Sequence, residues 1–303
     1  MPKLLPWMAA AGLAWAAGFV YNVHLGGETR WLKSMYEKKV AIAATIDEPK
    51  LLVTGGSGAH YTLNSALLED ELGLPVVNLG IDGPVGLNVI LPSVLEQVNP
   101  GDTVLLIPEY LILHHDNGLG DRSGPFSIAI GRPRAGDIPP QQLAQDLLLL
   151  GVPSLRGVIK SANDLVNEGK LTGYYDDPLT ANGDPTLDKD RAGDWWQLEI
   201  SKPATRHAID RIAQFHAEVE AKGGTLWLAL PWVYGDPGDD TKANIQATAD
   251  ALNEIAPLVY DPDSLNIQSD VGLFADTHYH LTAEGRALRS RQLAAELKPL
   301  LAP

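Results

Sequence analysis

The chain has no cysteine. That absence removes disulfides, zinc–thiolate sites, iron–sulfur clusters and a cysteine nucleophile together. Positive charge is also scarce: 23 Lys and Arg stand against 38 Asp and Glu, a formal net charge of −15. Nucleic-acid binding draws its affinity from Lys and Arg on phosphates, so this balance argues against a nucleic-acid partner. Charged residues make up only 20% of the chain and hydrophobic ones 45%, which excludes a disordered protein. No internal repeat and no low-complexity tract is present. A length of 303 residues suits one large domain or two modest ones, with a core that needs no covalent staple.

Charge is missing locally as well. Residues 4–23 carry none, and twenty apolar-leaning residues in a helix just span a bilayer core of ~30 Å. Three readings stay open. A cleaved signal peptide would use Leu4 to Leu13, with Ala14 and Ala16 as its cleavage signature. An uncleaved anchor would use the whole stretch, with Trp7, Trp15 and Tyr21 near the interfaces. A buried core helix is the third. Lys3 favours a cytoplasmic N-terminus, while Arg30, Lys33, Lys38 and Lys39 weigh the other way.

The remainder reads as soluble α/β protein. The pattern predicts a helix over 28–46 and a buried strand over 51–54, closed by Gly55 and Gly56. It continues with a helix over 59–72 and a strand over 75–79. A helix over 85–98 and a strand over 103–107 follow. Later come helix 204–222, strand 225–230, helix 240–255, a short strand at 257–260 and helix 282–299. Strands alternating with helices at this spacing predict a parallel sheet with crossover helices. Residues 111–200 interrupt the rhythm as an insertion rich in Gly, Pro and Asp, with helical pieces near 140–150 and 153–168.

Ligands of open α/β sheets collect beyond the carboxyl ends of the strands. The residues found there are Ser57 in GGSGAH, then Asn78, Gly80 and Gly83 in NLGIDG, then Pro108-Glu109-Tyr110, then Trp232. Asp276, His278 and His280 precede the last helix. A serine, glycine turns and an Asp/His cluster are what acyl transfer requires. The serine needs a base, the base needs an orienting carboxylate, and the oxyanion needs backbone N–H donors.

These residues resemble the SGNH (GDSL-like) hydrolase superfamily. GGS at 55–57 matches its first block, NLGIDG at 78–83 its second, and DTHYHLTAEG at 276–285 its last. The resemblance covers about 50–110 and 225–300. It is similar above all to membrane-anchored bacterial envelope proteins of polysaccharide O-acetylation and D-alanine transfer. It implies a three-layer α/β/α, flavodoxin-like parallel sheet over 28–303, with a large insertion at about 111–200. Residues 1–27 would be a signal anchor or signal peptide, with the body on the exported side of the envelope. It implies Ser57 as nucleophile, His280 as base, Asp276 as its orienter, and an oxyanion hole from Ser57, Gly83 and neighbouring Gly80. Gly56, His60, Asn78, Glu109, Tyr110, Trp232 and His278 would line the pocket. The implied partners are an acylated envelope polysaccharide and a membrane O-acyltransferase, and no cofactor or metal is implied.

Two blocks depart from the family. The third should supply an Asn, where this chain has Glu109. An ionised carboxylate only accepts hydrogen bonds and cannot replace that donor. In the last block Asp276 lies four residues before His280 rather than three, which leaves His278 as a second candidate base. A non-catalytic scaffold binding glycan or a partner therefore stands beside the enzyme reading. Other roles remain open for single residues. Ser57 could cap a helix. Asp276, His278 and His280 could bind a metal with His114, His115 and Asp116. His60 could sit on a helix surface, and His216 could be a satisfied core residue. Trp195 and Trp196 could pack or stack on sugar. Asp176, Asp177, Asp184, Asp188 and Asp190 read as a solvated loop.

Overall fold

The computed structural model describes residues 4–171, 178–186 and 196–301. The chain opens with α1 (Leu4–Val20), a π-helical turn at Tyr21–Leu25 and α2 (Glu28–Ala44). Then come β1 (Leu51–Thr54), α3 (Ser57–His60), α4 (Ser65–Leu72) and β2 (Val76–Asn78). Next are α5 (Leu87–Leu95), β3 (Thr103–Leu106), α6 (Tyr110–Leu113) and α7 (Ser123–Ala129). α8 (Pro140–Leu150), α9 (Leu155–Glu168), α10 (Arg206–Ala221) and β4 (Thr225–Ala229) follow. The chain ends with β5 (Val233–Tyr234), α11 (Asp239–Asn253), β6 (Leu258–Val259), β7 (Ile267–Gln268) and α12 (Ala283–Leu301).

These elements form two compact units. One holds the described residues up to Glu37 and those of 121–171; the other begins at Lys38, runs to Gly120 and resumes at Pro178.

The second unit is an α/β sandwich on a five-stranded parallel sheet of order β2-β1-β3-β4-β6. Its register pairs Leu52 with Val77 and Val104, Leu105 with Trp227, and Leu228 with Leu258. The runs LLVT and TVLL are buried almost throughout because helices cover both faces. Leu51, Val53, Leu105 and Ala229 point to one face, against Leu68 of α4 and Leu293 and Leu297 of α12. Their neighbours Leu52, Val104 and Leu226 face the other way, where α10 packs on β4 and α5. β5 and β7 form a separate two-stranded parallel sheet.

Three expectations change. The single helix over 59–72 is two, because Asn64 Oδ1 accepts from Leu67 N at 3.1 Å and starts α4 afresh. His216 is not a core residue. The buried stripe of α10 is Ala208, Ile212, Phe215 and Val219, and His216 faces Glu220 at 3.5 Å. Asp184 is not a solvated loop residue but is buried, as shown below. Asp176, Asp177, Asp188, Asp190 and Trp195 lie outside the described residues.

In the first unit, α1 exposes Leu4, Leu5, Trp7, Met8 and Leu13. The helical stretch that starts with α1, Leu4–Ala44, is by length and composition apolar enough to cross a membrane. The C-terminal part of α1 and the π-helical turn after it are fixed to the α8–α9 connection. Trp15 Nε1 donates to Leu148 O at 3.1 Å, and Asn22 Nδ2 donates to Leu150 O at 2.7 Å. Gly18 lies against Gly151 so closely that a side chain there would collide with its carbonyl. A small core of Val23, Ala129 and Leu150 closes the unit.

Candidate active site

In the sheet order β2-β1-β3, the chain leaves β1 to one side and returns on the other. The crevice beyond β1 and β3 is therefore the topological switch point, where α/β sheets bind ligands. Ser57 follows β1 and Glu109 follows β3, so both stand at that crevice.

The serine turn depends on glycine. Gly55 has φ +152, and a Cβ there would meet the Ile107 carbonyl. Gly80 lies against the backbone of α3, where a Cβ would stand 2.5 Å from His60 N. A Cβ on Gly56 would lie 2.6 Å from Gly83 Cα, so the two glycine turns abut. Ser57 opens α3, yet the N-cap is Gly56 and no side chain caps the helix. The capping role open to Ser57 from sequence is thus not the one it performs. Among the described residues, no protein group accepts from the N–H of Ser57 or of Gly83.

The Asp/His loop is held by its own turn. Thr277 Oγ1 accepts from Tyr279 N at 3.2 Å and His280 N at 3.0 Å, and Ala275 N donates to His280 O at 2.8 Å. This folding brings His280 Nδ1 to 2.7 Å from Asp276 Oδ1, so the spacing of four is a hydrogen-bonded pair. Leu281 N donates to Tyr61 O at 3.1 Å, and the His280 and Tyr61 rings sit 4.4 Å apart. The pair is thereby tied to the residue just after α3. His278 turns away: its Nε2 lies 2.8 Å from the Trp196 carbonyl, and its ring stacks on Tyr234. His280 thus has a carboxylate within hydrogen-bond reach of its Nδ1. Among the described residues, no hydrogen bond joins Ser57 Oγ to His280.

Glu109 is buried, and its carboxyl oxygens accept from Gly56 N at 3.0 Å and from Gly58 N. Burial pushes its carboxyl above the usual range, against the pull of those N–H groups and of His280. In place of the expected Asn donor stands an acceptor that clamps the N–H groups flanking Ser57.

A cavity of ≈ 350 Å³ opens beside Ser57, lined by Glu109, Tyr110, His114, His278 and Tyr279 and closed by Leu198–Ile200. Burial holds His114 below its ordinary range and pushes the Tyr110 hydroxyl up, which favours the neutral form of each. Of the pocket residues expected from sequence, Glu109, Tyr110 and His278 line this cavity; Gly56, His60, Asn78 and Trp232 do not. Trp232 instead packs with Phe274 and Leu281 and donates to Gln292 Oε1 at 2.7 Å.

His60 and Asn78 belong to a buried polar network that supports the turns. Lys39 Nζ lies 2.9 Å from His60 Nδ1, and donates to Asn78 Oδ1 at 3.2 Å and Gly80 O at 2.6 Å. Asp184 accepts from Asn78 Nδ2 at 2.8 Å, Ser65 N at 2.6 Å and Ser65 Oγ at 2.7 Å. Desolvation lowers Lys39 to about 7, while Asp184 opposes that shift. Lys39 and Asp184 were not legible as site-supporting residues. One sits among surface lysines of an amphipathic helix and the other in an acid-rich stretch.

No family model and no curated protein matches the chain. Among solved structures it is similar to protein YxiM from Bacillus subtilis, at 14% identity and a TM-score of 0.38. That match covers 84% of this chain and 57% of the other, so the chain spans little more than half the length of that structure.

Proposed function

We propose that the protein is a membrane-tethered, exported serine esterase or O-acyltransferase of the SGNH type. Its substrate class would be an acylated envelope polysaccharide. The observation that carries this reading is the 2.7 Å bond from His280 Nδ1 to Asp276, in a loop tied to the residue after α3. Asp276 fixes the imidazole tautomer and leaves Nε2 for the Ser57 proton. Ser57 Oγ attacks the acyl carbonyl, the proton passes to His280, and the N–H groups of Ser57 and Gly83 receive the oxyanion. His280 then protonates the departing alcohol. Water or a sugar hydroxyl next attacks the acyl-enzyme, giving its proton to His280, which passes it to Ser57 Oγ as the acyl–oxygen bond breaks. The indole of Trp196 is 74% exposed and lies 6.3 Å from the His278 ring beside the cavity, a suitable face for a sugar ring.

A second reading, a non-catalytic glycan- or partner-binding scaffold such as a companion of a membrane O-acyltransferase, has its own support. Glu109 puts an acidic group against the serine turn where the family has a donor, and Ser57 Oγ makes no bond to His280. A serine-reactive fluorophosphonate separates the two. Stoichiometric labelling of the folded chain, lost in Ser57→Ala and in His280→Ala, is the expected result. Absence of labelling in folded wild type overturns the enzyme reading in favour of the scaffold.

A further inference from the structure

α9 is built inside out. Its buried residues are Gly157, Ser161 and Asp164, and its exposed ones include Leu155, Val158, Ile159, Leu165 and Val166. The polar face has internal partners. Ser161 Oγ lies 2.7 Å from the Tyr21 hydroxyl, and Lys160 Nζ donates to Asp164 at 2.9 Å. The apolar side chains recur at helical spacing on the outer face. The exposed apolar surface continues around the connection onto α8, through Val152 at 64%, Leu149 at 65% and Leu148 at 66%. Contiguous apolar surface of this kind marks a protein or membrane contact.

The location of this surface selects the occupant. The α8–α9 connection is bonded to Trp15 and Asn22, which both lie in the second half of the apolar stretch. If α1 crosses a bilayer, Asn22 sits at one boundary of the hydrocarbon layer and Trp15 ~10 Å inside it, so the connection fixed to both lies at that boundary and just within it. An apolar groove of ≈ 490 Å³ between α1 and α9, lined by Ala14, Ala17, Val158 and Leu165 among others, suits an acyl chain. Arg156 and Lys170 are exposed at the two ends of α9, cations of the kind that meet headgroup phosphates beside an interfacial helix.

We propose that the α8–α9 hairpin is a second membrane element, lying in the bilayer interface with the outer face of α9 in the acyl boundary. The protein would then be held by one spanning helix and one interfacial helix. This proposal rests on the reading of α1 as a membrane span, and the experiment tests the two separately. The cysteine-free chain allows single labels. An environment-sensitive fluorophore is placed on Leu13→Cys in α1, Leu149→Cys in α8, Val166→Cys in α9 and Ala247→Cys in α11. The full chain is reconstituted in phosphatidylcholine/phosphatidylglycerol vesicles, and quenching by doxyl-labelled lipid is compared with quenching by iodide. Circular dichroism checks that each variant folds as wild type.

Labels at 13, 149 and 166 are expected to be quenched several-fold more by doxyl lipid than by iodide, and the label at 247 the reverse. Quenching by lipid at 13, with iodide access at 149 and 166, overturns the proposal and leaves the anchor standing. Iodide access at all four overturns both. Protection of 149 and 166 from both quenchers, with energy transfer between labelled chains, assigns the face to a second copy and also overturns it.

Discussion

Two helices of similar length, α9 and α10, bury opposite kinds of residue. α10 turns Ile212, Phe215 and Val219 inward and Arg206, Asp210 and Gln214 to solvent. α9 turns Ser161 and Asp164 inward and Leu155, Ile159 and Val166 outward. The first obeys the rule for a helix packed on a sheet in water. The second obeys it only if its surroundings are apolar. Both sequences are amphipathic at the same period, so periodicity establishes that a helix has two faces and leaves open which one meets solvent.

The contrast can be broken most severely by charging both helices. Ile212→Lys places an unpaired ammonium in the α10 core and should cost more than about 4 kcal/mol, read as loss of the cooperative urea transition. Val166→Lys in α9 should change urea stability in detergent by less than ~0.5 kcal/mol while weakening retention on vesicles. Equal damage from the two would end the comparison.

The second contrast is between residues that hold the site and residues that would act in it. Ser57 caps nothing, so Ser57→Ala should abolish hydrolysis of an aryl acetate with an unchanged melting curve. Asp276→Asn should lower kcat by on the order of 10⁴-fold by favouring the wrong His280 tautomer. Asp184→Ala should do the opposite. It strips the partners of Ser65 and Asn78 and leaves Lys39 uncompensated, costing roughly 3–5 kcal/mol in denaturant titration.

A smaller effect is a slope. Lys39 sits near 7 in the folded chain, against 10.5 as its ordinary value. Between those values the unfolded chain binds a proton that the folded chain has lost, so stability rises with pH across that window. The rise approaches ~1.4 kcal/mol per pH unit. Lys39→Met removes the titrating group, and its urea midpoint should lack that rise between pH 7 and 10. An identical slope in the variant would mean that Lys39 is not the group responsible.

Much of the second unit was legible. The apolar runs LLVT, TVLL and TLWLA bounded by Gly, Pro or Asn read as buried parallel strands, and they pair as such. The DTHYHLT segment read as an Asp/His pair, and Asp276 and His280 meet. What was not legible involves contacts between distant segments. Asp184 looks like its acidic neighbours until β2 and α4 close over it. The role of His60 depends on Lys39, twenty-one residues earlier. Glu109 read only as a missing Asn, because its two acceptor bonds come from a turn fifty residues away.

By itself the sequence determined the class of the fold, the absence of any thiol chemistry, and the helix apolar enough to span a bilayer. These follow from composition and local period, which every residue carries wherever the chain goes. Only the tertiary structure decided that Lys39 lies under the serine turn, that Glu109 clamps Gly56 and Gly58, and that α9 shows its apolar face. Each depends on which surfaces the fold brings together, since the burial of a polar group is favourable only where its partners are already in place.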